Sequence, residues 1–383
     1  MALRRTKRET PVTAEQVEAT VPPSLRVAGA YSWRILLVVG VVAVVIFAIA
    51  QLKDIVVPFM IAILLSALLV PLVNWLVRHR WPRGLAVAVA MVSTIAVVSG
   101  LVFVIVSQIR SGYPDLQKRS ITAYEQFKDF LATSPLQLDD KQIQGYIDGA
   151  VAAFQKDGQV LLSGALSVGS TAGHVLAGLL LVLFATLFIL IDGKGIWRWI
   201  VRLFPRRSRQ ALDSSGQAGW ITLKTFVKVQ IFVAAVDAVG IGLGAWILGL
   251  VFGGFPLVIP IAIAVFLASF IPVVGAVLTG AVAVFIALVY LGPLPALIML
   301  GIVLLVQQVE GHILQPLVMG SAVKVHPLAV VFAVAAGSFL AGIPGALFAV
   351  PVIAVGNVVV KYIASGEWKT TPVPSAKDVL PDA

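Results

Sequence analysis

Long apolar stretches recur along the whole chain, and short polar segments separate them. A helix needs about 20 mostly apolar residues to cross the hydrocarbon core of a bilayer. Because every backbone polar group must be bonded internally there, such stretches predict membrane-spanning α-helices. They lie at 35–52, 55–77, 84–106, 171–191, 230–248 and 294–309.

The last third of the chain holds two apolar segments of a different kind, at 256–290 and 327–362. Each is too long for one span and short for two. Paired segments with Gly/Pro interruptions indicate broken or re-entrant helices, as in transporters. Four ordinary short spans with tight turns are the alternative, and the pattern leaves both open. The predicted hairpin tips are Pro272 and Gly275 in the first segment and Pro344 and Gly345 in the second.

The region 107–168 mixes acidic and basic side chains, and its apolar positions recur at helical spacing. It predicts amphipathic helices that pack on the membrane surface, on one another or on a neighbouring subunit. A small solvated helical domain fits the same pattern. The predicted fold is therefore an all-α polytopic bundle of about eight spans, with two broken hairpins and an external amphipathic insertion.

Charge supports this fold and sets its orientation. Only 12% of residues are charged and the mean hydropathy is +1.00, which excludes an ordinary soluble domain. The net charge of +10 would suggest nucleic acid in a soluble protein, but the basic residues cluster between the spans, so we expect no nucleic-acid partner. Basic loops stay on the cytoplasmic side. Segments 78–83 and 192–209 are therefore predicted to be cytoplasmic, with both termini, and 107–168 external, in a bacterial inner membrane.

The predicted organisation follows the chain in seven parts. These are a disordered cytoplasmic tail at 1–30, spans one to three at 31–106, the external region at 107–168, span four at 169–191, a basic loop with an amphipathic helix at 192–229, a transport core at 230–362 and a cytoplasmic tail at 363–383.

Asp237 lies in the middle of an apolar span. An ionisable side chain is expensive inside a membrane, so by default it marks a functional position. An ion or proton site is one interpretation, and a polar contact between helices of the bundle is the other.

A second group of polar side chains ends the span at 294–309 and begins the stretch before the second broken segment. It could bind a polar solute through several hydrogen bonds, or form a polar cap at the membrane interface. The group consists of Gln307, Gln308, Glu310, His312 and Gln315.

The composition predicts no enzyme, metal or cofactor. The chain has no cysteine, and its four histidines show no paired metal spacing. A phosphate-binding loop is also missing from the sequence, since Gly193-Lys194 lacks the flanking residues of that motif. Transport, if it occurs, is therefore expected to be passive or ion-coupled.

Three stretches resemble motifs of the autoinducer-2 exporter family of bacterial permeases. They are Gln307–Met319 with its continuation through Gly337, Gly342, Gly345 and Pro351; Phe188–Gly193; and Ile271-Pro272 with Gly275. The similarity covers roughly 30–362 in order, with His312 standing where many members carry Asn. The resemblance implies a homo-oligomeric inner-membrane protein that exports a small polar signalling molecule, or exchanges Na⁺(Li⁺) for H⁺.

We therefore expect a secondary transporter or permease for a small polar solute such as autoinducer-2, with the lipid bilayer and further copies of the chain as partners. A monovalent cation/proton antiporter that uses Asp237 or Glu310 is the close alternative. A non-transporting membrane scaffold built around 107–168 is a third hypothesis.

Overall fold

A computed structural model describes residues 22–133, 168–271, 274–312, 314 and 327–379, and these residues form helices and connecting turns with no strand. The longer helices are α1 (Pro23–Gln51), α2 (Lys53–Arg78), α3 (Arg83–Thr133), α4 (Val168–Arg202), α5 (Arg209–Phe252), α6 (Val258–Ala268), α7 (Val274–Leu291), α8 (Pro293–Val309) and α9 (Pro327–Ser365); α10 (Glu367–Thr370) and α11 (Ala376–Val379) follow.

Seven helices within the described residues are long and apolar enough to cross a membrane. They are α1 to α5, α8 and α9, and they confirm an all-α polytopic membrane protein. Large apolar side chains cover their outer surfaces, as lipid contact requires. The sequence predicted about eight spans; the first broken segment instead forms two shorter helices, α6 and α7.

The chain divides into two compact units, Met1–Asp54 and Ile55–Ala383. In the first unit, α1 begins at Pro23, so the end of the predicted disordered tail at 23–30 is helical. Proline suits the first turn of a helix, because its missing N–H would have no partner there. The tail up to residue 21 lies outside the described residues.

In the second unit, α3 continues far beyond the predicted span at 84–106. It is one helix of 51 residues, about 76 Å long, and extends well past a hydrocarbon core. Its described part reaches Thr133, and in the sequence the next step is Ser134-Pro135, which disfavours a helix. The remainder of the predicted external region, 134–167, lies outside the described residues.

Helix α4 contains a bend at Asp192, whose φ of −138° and ψ of 42° are not helical. The Asp192 carboxylate accepts a hydrogen bond from the backbone N–H of Gly195 at 3.1 Å, which caps a new helix that runs to Arg202. The acidic residue of the Phe188–Gly193 motif therefore separates the membrane part of α4 from a short following helix.

Helix α5 is the central element of the second unit, and α6, α8 and α9 pack against it. Glycines let α8 come close: a Cβ at Gly240 would lie 2.9 Å from Val306, and one at Gly244 would lie 2.5 Å from Ile302. These two contacts show that α5 and α8 run antiparallel.

The first broken segment is a helical hairpin made of α6 and α7. A Cβ at Gly275, near the start of α7, would lie 1.8 Å from the carbonyl oxygen of Ala268 at the end of α6. The two arms therefore meet directly at the turn. With 11 residues, α6 rises only about 16 Å, roughly half of a hydrocarbon core, so α6 alone is too short to cross one.

The second broken segment turns back on itself within α9. Ala341 and Gly342 have non-helical backbone angles, and Gly342 has a φ of 62° that favours glycine. A Cβ at Gly345 would lie 1.9 Å from the carbonyl oxygen of Gly337. Residues eight apart are far from each other in a continuous helix, so this contact identifies a second tight hairpin.

The segment after α9 packs on the first turns of α5. Ser214 donates a hydrogen bond to the carbonyl of Pro372 at 2.8 Å, and Pro374 is buried. Asp378 accepts hydrogen bonds from the backbone and hydroxyl of Ser375, which lower the pKa of that carboxyl and cap α11. Up to residue 379, the predicted cytoplasmic tail is therefore an ordered segment that packs against α5.

Candidate functional site at the tip of the first hairpin

The site begins with Asp237, which lies in the middle of α5 and is only 1% exposed. It precedes Gly240 by three residues and Gly244 by seven, so it lies on the stripe of α5 that approaches α8. The close approach of α8 at those glycines leaves little of this stripe exposed.

Ser269, at the end of α6, connects this carboxyl to the hairpin tip. Its hydroxyl lies 3.1 Å from Oδ2 of Asp237 and 2.8 Å from the carbonyl of Val265. Gln230, seven residues before Asp237 on the same face of α5, donates from Nε2 to the Ser269 carbonyl at 2.7 Å. Two side chains of α5 thus hold the end of α6, where helical carbonyls lack intrahelical partners.

The Ser269 hydroxyl has a single hydrogen for two neighbouring acceptors. It can donate to Asp237 when the carboxyl is ionised. It can instead donate to Val265 and accept a hydrogen bond from Asp237 when the carboxyl is protonated. The connection between α5 and the tip therefore survives in both protonation states of Asp237.

Two buried polar atoms near this tip have no hydrogen-bond partner among the described residues, Oδ1 of Asp237 and Nε2 of Gln307. Gln307 follows Val303 by one turn on α8, and Val303 packs where a Cβ of Gly280 would lie, 2.6 Å away. Because α7 and α8 form an antiparallel pair, Gln307 lies near the level of residue 276, at the start of α7. An unused acceptor and an unused donor therefore flank the tip.

Comparison with known proteins identifies the family of the chain. The profile of the AI-2E family transporter matches residues 35–365, which is most of the chain. The chain belongs to the AI-2E transporter family. The resemblance of its motifs to the autoinducer-2 exporters is thus confirmed.

Relatives of this transporter cover nearly its whole length. A Mycobacterium tuberculosis (strain CDC 1551 / Oshkosh) protein, provisionally named a transport protein, is 37% identical over 97% of this chain and 99% of its own. The Escherichia coli (strain K12) AI-2 transport protein TqsA is 25% identical over 87% of this chain and 93% of its own. A Bacillus subtilis (strain 168) protein with a provisional transport name is also 25% identical, over 80% of this chain and 86% of its own.

The structure of the transporter separates the other polar residues that the sequence grouped with Gln307. Gln308 and His312 are exposed, and Nδ1 of His312 lies 3.3 Å from the carbonyl of Gln308 on its own helix. Glu310 is half-buried where α8 changes to a wider π-helical turn. Gln315 lies outside the described residues.

The predicted hairpin tips of the transporter differ in their surroundings. Gly275 is buried against α6, and Pro272 beside it lies outside the described residues. Pro344 and Gly345 are half-buried, while the neighbouring Ile343 is 72% exposed. The first tip is thus joined to α5 by polar side chains, whereas the second presents an apolar surface.

Sequence reasoning missed Gln230 and Ser269. Gln230 is a buried polar residue one heptad before Asp237, and this spacing was the signal that could have identified it. Ser269 directly precedes the predicted break at 270–276, but its partner depends on how α6 meets α5.

Within the described residues, no cluster of three or more histidine or acidic side chains could hold a metal ion.

Proposed function

We propose that this transporter moves a small polar solute across the bacterial inner membrane, along a path at the tip of the first hairpin. The observation that carries the proposal is the pair of buried, unpartnered polar atoms, Oδ1 of Asp237 and Nε2 of Gln307. A buried polar atom without a partner costs free energy, so a ligand that bonds it gains affinity. A scaffold would not need such a pair, and the family consists of transporters.

The chemistry of the two atoms favours a solute that carries hydroxyl groups. A hydroxyl can donate to the carboxyl of Asp237, and a second one can accept from the amide of Gln307. One relative is named an AI-2 transport protein, which makes AI-2 the first solute to test. Asp237 and Gln307 would then bind the solute, and Gln230 and Ser269 would position the hairpin tip.

Exchange of a monovalent cation for a proton is a second candidate, favoured by one specific observation. The Ser269 hydroxyl can satisfy Asp237 in either protonation state, so a proton can leave without loss of the connection to α6. Oδ1 of Asp237 and the Ser269 hydroxyl are oxygen donors of the type that hard cations prefer. Glu310 would be the next carboxylate to test.

The proposal includes an orientation and an assembly. Both termini and the basic segments 78–83 and 192–209 would face the cytoplasm, because basic loops are retained there. We expect several copies of the chain to associate, as the resemblance to the exporter family implies.

Flux of AI-2 into proteoliposomes tests the proposed function. Asp237→Asn and Gln307→Leu should each lower the initial rate at least about tenfold, the effect of roughly one lost hydrogen bond to a charged or buried group. Asp54→Asn, which alters an exposed carboxylate at the start of α2, should keep the parental rate. Parental rates in both site variants, with normal insertion, would contradict the proposed site.

The same vesicles separate the two candidate functions. A permease should carry the solute down its own gradient with no imposed ion gradient. An antiporter should move protons when sodium is added outside, and Asp237→Asn should abolish that movement. If the parental protein shows neither solute flux nor sodium-driven proton movement, both candidate functions are contradicted.

A further inference from the structure

The short helix after the bend in α4, residues 193–202, carries two distinct exposed rows. Lys194, Arg198 and Arg202 are four residues apart, so they form a basic row along one side. Trp199 on the helix and Leu203, which directly follows it, form a neighbouring apolar row and are 62% and 65% exposed. The described residues place no carboxylate in an ion pair with the basic row.

Such a row is unfavourable by itself. Like charges four residues apart on a helix repel one another, and no carboxylate within the described ranges forms an ion pair that would offset this repulsion. Arg198 only donates to the carbonyl of Lys194 within the same helix, at 3.3 Å. The row therefore presents closely spaced donors to an anionic partner from outside the chain.

The helix is held firmly in place by its protein-facing side. Nε1 of Trp197 donates to Asp213 at 2.8 Å, and the indole ring covers Gly216, where a Cβ would lie 2.0 Å from the ring. Arg209 donates to the carbonyls of Arg202 and Phe204 and fixes the turn that follows. The two exposed rows consequently have a defined direction.

A bilayer surface offers both partners at once. Trp199 and Leu203 suit the boundary between head groups and acyl chains, where tryptophan is enriched. A row of lysine and arginine at that depth suits lipid phosphate, and guanidinium groups bind phosphate oxygens well. A soluble polyanion would match the basic row but would leave the apolar row exposed to water.

We propose that residues 193–202 form an interfacial helix that binds the head group of an anionic phospholipid along Lys194, Arg198 and Arg202. The acyl chains of that lipid lie against Trp199 and Leu203. Because Trp197 joins this helix to Asp213 and Gly216, the bound lipid stabilises the junction from which α5 starts. This lipid site is separate from the hairpin tip, and the proposal does not depend on which solute the protein carries.

Quenching of Trp199 by brominated lipids tests the proposal. The full chain is placed in phosphatidylcholine vesicles that contain equal mole fractions of brominated phosphatidylglycerol or brominated phosphatidylcholine. The contribution of Trp199 is the difference between the parental protein and Trp199→Phe. We expect brominated phosphatidylglycerol to be preferred, by about fivefold for each basic side chain that contacts the head group.

Three variants decide the outcome. Lys194→Gln/Arg198→Gln/Arg202→Gln should abolish the preference. Arg198→Lys/Arg202→Lys keeps the charge and should retain most of it, which separates lost binding from lost folding. Lys228→Gln/Lys361→Gln/Lys369→Gln removes the same charge from other exposed positions and should keep the preference.

Several results would overturn the proposal. Equal quenching by the two brominated lipids would show that no anionic lipid is selected. A preference that survives the first triple variant would show that other residues cause it. A preference that disappears equally in the control triple would show that net charge causes it. Inorganic phosphate that removes the preference, when chloride at the same ionic strength does not, would identify a site for a soluble anion.

Discussion

The carbonyl of Leu190 shows how a single side chain allows α4 to bend. Asp192 leaves the helical conformation, so carbonyls just before it lose their usual N–H partners. Arg83, at the start of α3, donates to the Leu190 carbonyl from Nε at 3.2 Å and from Nη2 at 2.8 Å. The bond joins α3 to α4, and Leu190 itself packs in a core with Val73 of α2 and Val87 of α3, so three helices meet at this point.

Removal of this guanidinium should destabilise the protein. Arg83→Gln is expected to lower the unfolding free energy by about 1 to 2 kcal/mol, the usual contribution of a charged hydrogen bond reduced for partial exposure. Thermal unfolding in detergent, followed by loss of helical circular dichroism, measures the change. Arg78→Gln removes an exposed arginine at the end of α2 and should stay within about 0.5 kcal/mol. Equal destabilisation by both variants would show that the Leu190 bond contributes nothing.

At the same scale, the sequence identified some members of the candidate site and missed others for a physical reason. Asp237 was recognisable because charge inside an apolar span is rare whatever surrounds it. Ser269 and Gln230 are common polar residues that acquire a role only where α6 meets α5. His312 and Gln308 were predicted with Gln307, yet the helical turn directs them outward.

At the scale of elements, the two hairpins depend on glycines that admit backbone at very short range. In the second hairpin, Gly337 and Gly345 each lie where a Cβ would collide with the other's carbonyl oxygen. The adjacent turn needs the positive φ of Gly342. The two arms can therefore pair this tightly only because Gly337 and Gly345 have no side chain. A proline at the turn would not be enough.

One added methyl group should open this hairpin. Gly345→Ala places a Cβ 1.9 Å from the Gly337 oxygen, and overpacking of this kind costs about 1 to 3 kcal/mol. Gly356→Ala lies further along α9 with nothing within 4 Å, and should be neutral or more stable by up to about 1 kcal/mol. Hydrogen exchange at the tip should rise only in the first variant. Unchanged exchange and stability in Gly345→Ala would contradict the hairpin geometry.

Hydropathy predicted which stretches form long apolar helices better than where those helices end. The predicted spans coincide with α2 and α8 to within a few residues. In contrast, α3 and α5 run far past their predicted spans, because an amphipathic helix can continue from an apolar one without any break. Apolar content shows which residues prefer lipid, whereas only Gly, Pro or capping groups show where a helix stops.

At the scale of the whole molecule, the arrangement of charge predicts the orientation. The segments 78–83 and 192–209 are basic, whereas the region 107–168 is slightly acidic. The chain has no cysteine, so single cysteines are unambiguous labels. In intact cells, an impermeant thiol reagent should label a cysteine at 139 and should leave one at 207 unlabelled until the membrane is opened. Labelling at 207 from outside would reverse the orientation and the predicted cytoplasmic position of the termini.

The central claim is that a polar path reaches the tip of the first hairpin, and the reactivity of a cysteine at Ile271 tests it most directly. Ile271 is half-buried beside Ser269, whereas Leu278 on α7 is 61% exposed but directed outward from the core. A small hydrophilic thiol reagent should modify Ile271→Cys faster than Leu278→Cys, since lipid excludes the reagent and a solute path admits it. Added solute should slow the reaction at 271 alone. Equal or slower modification at 271, or no protection by any transported solute, would contradict the account.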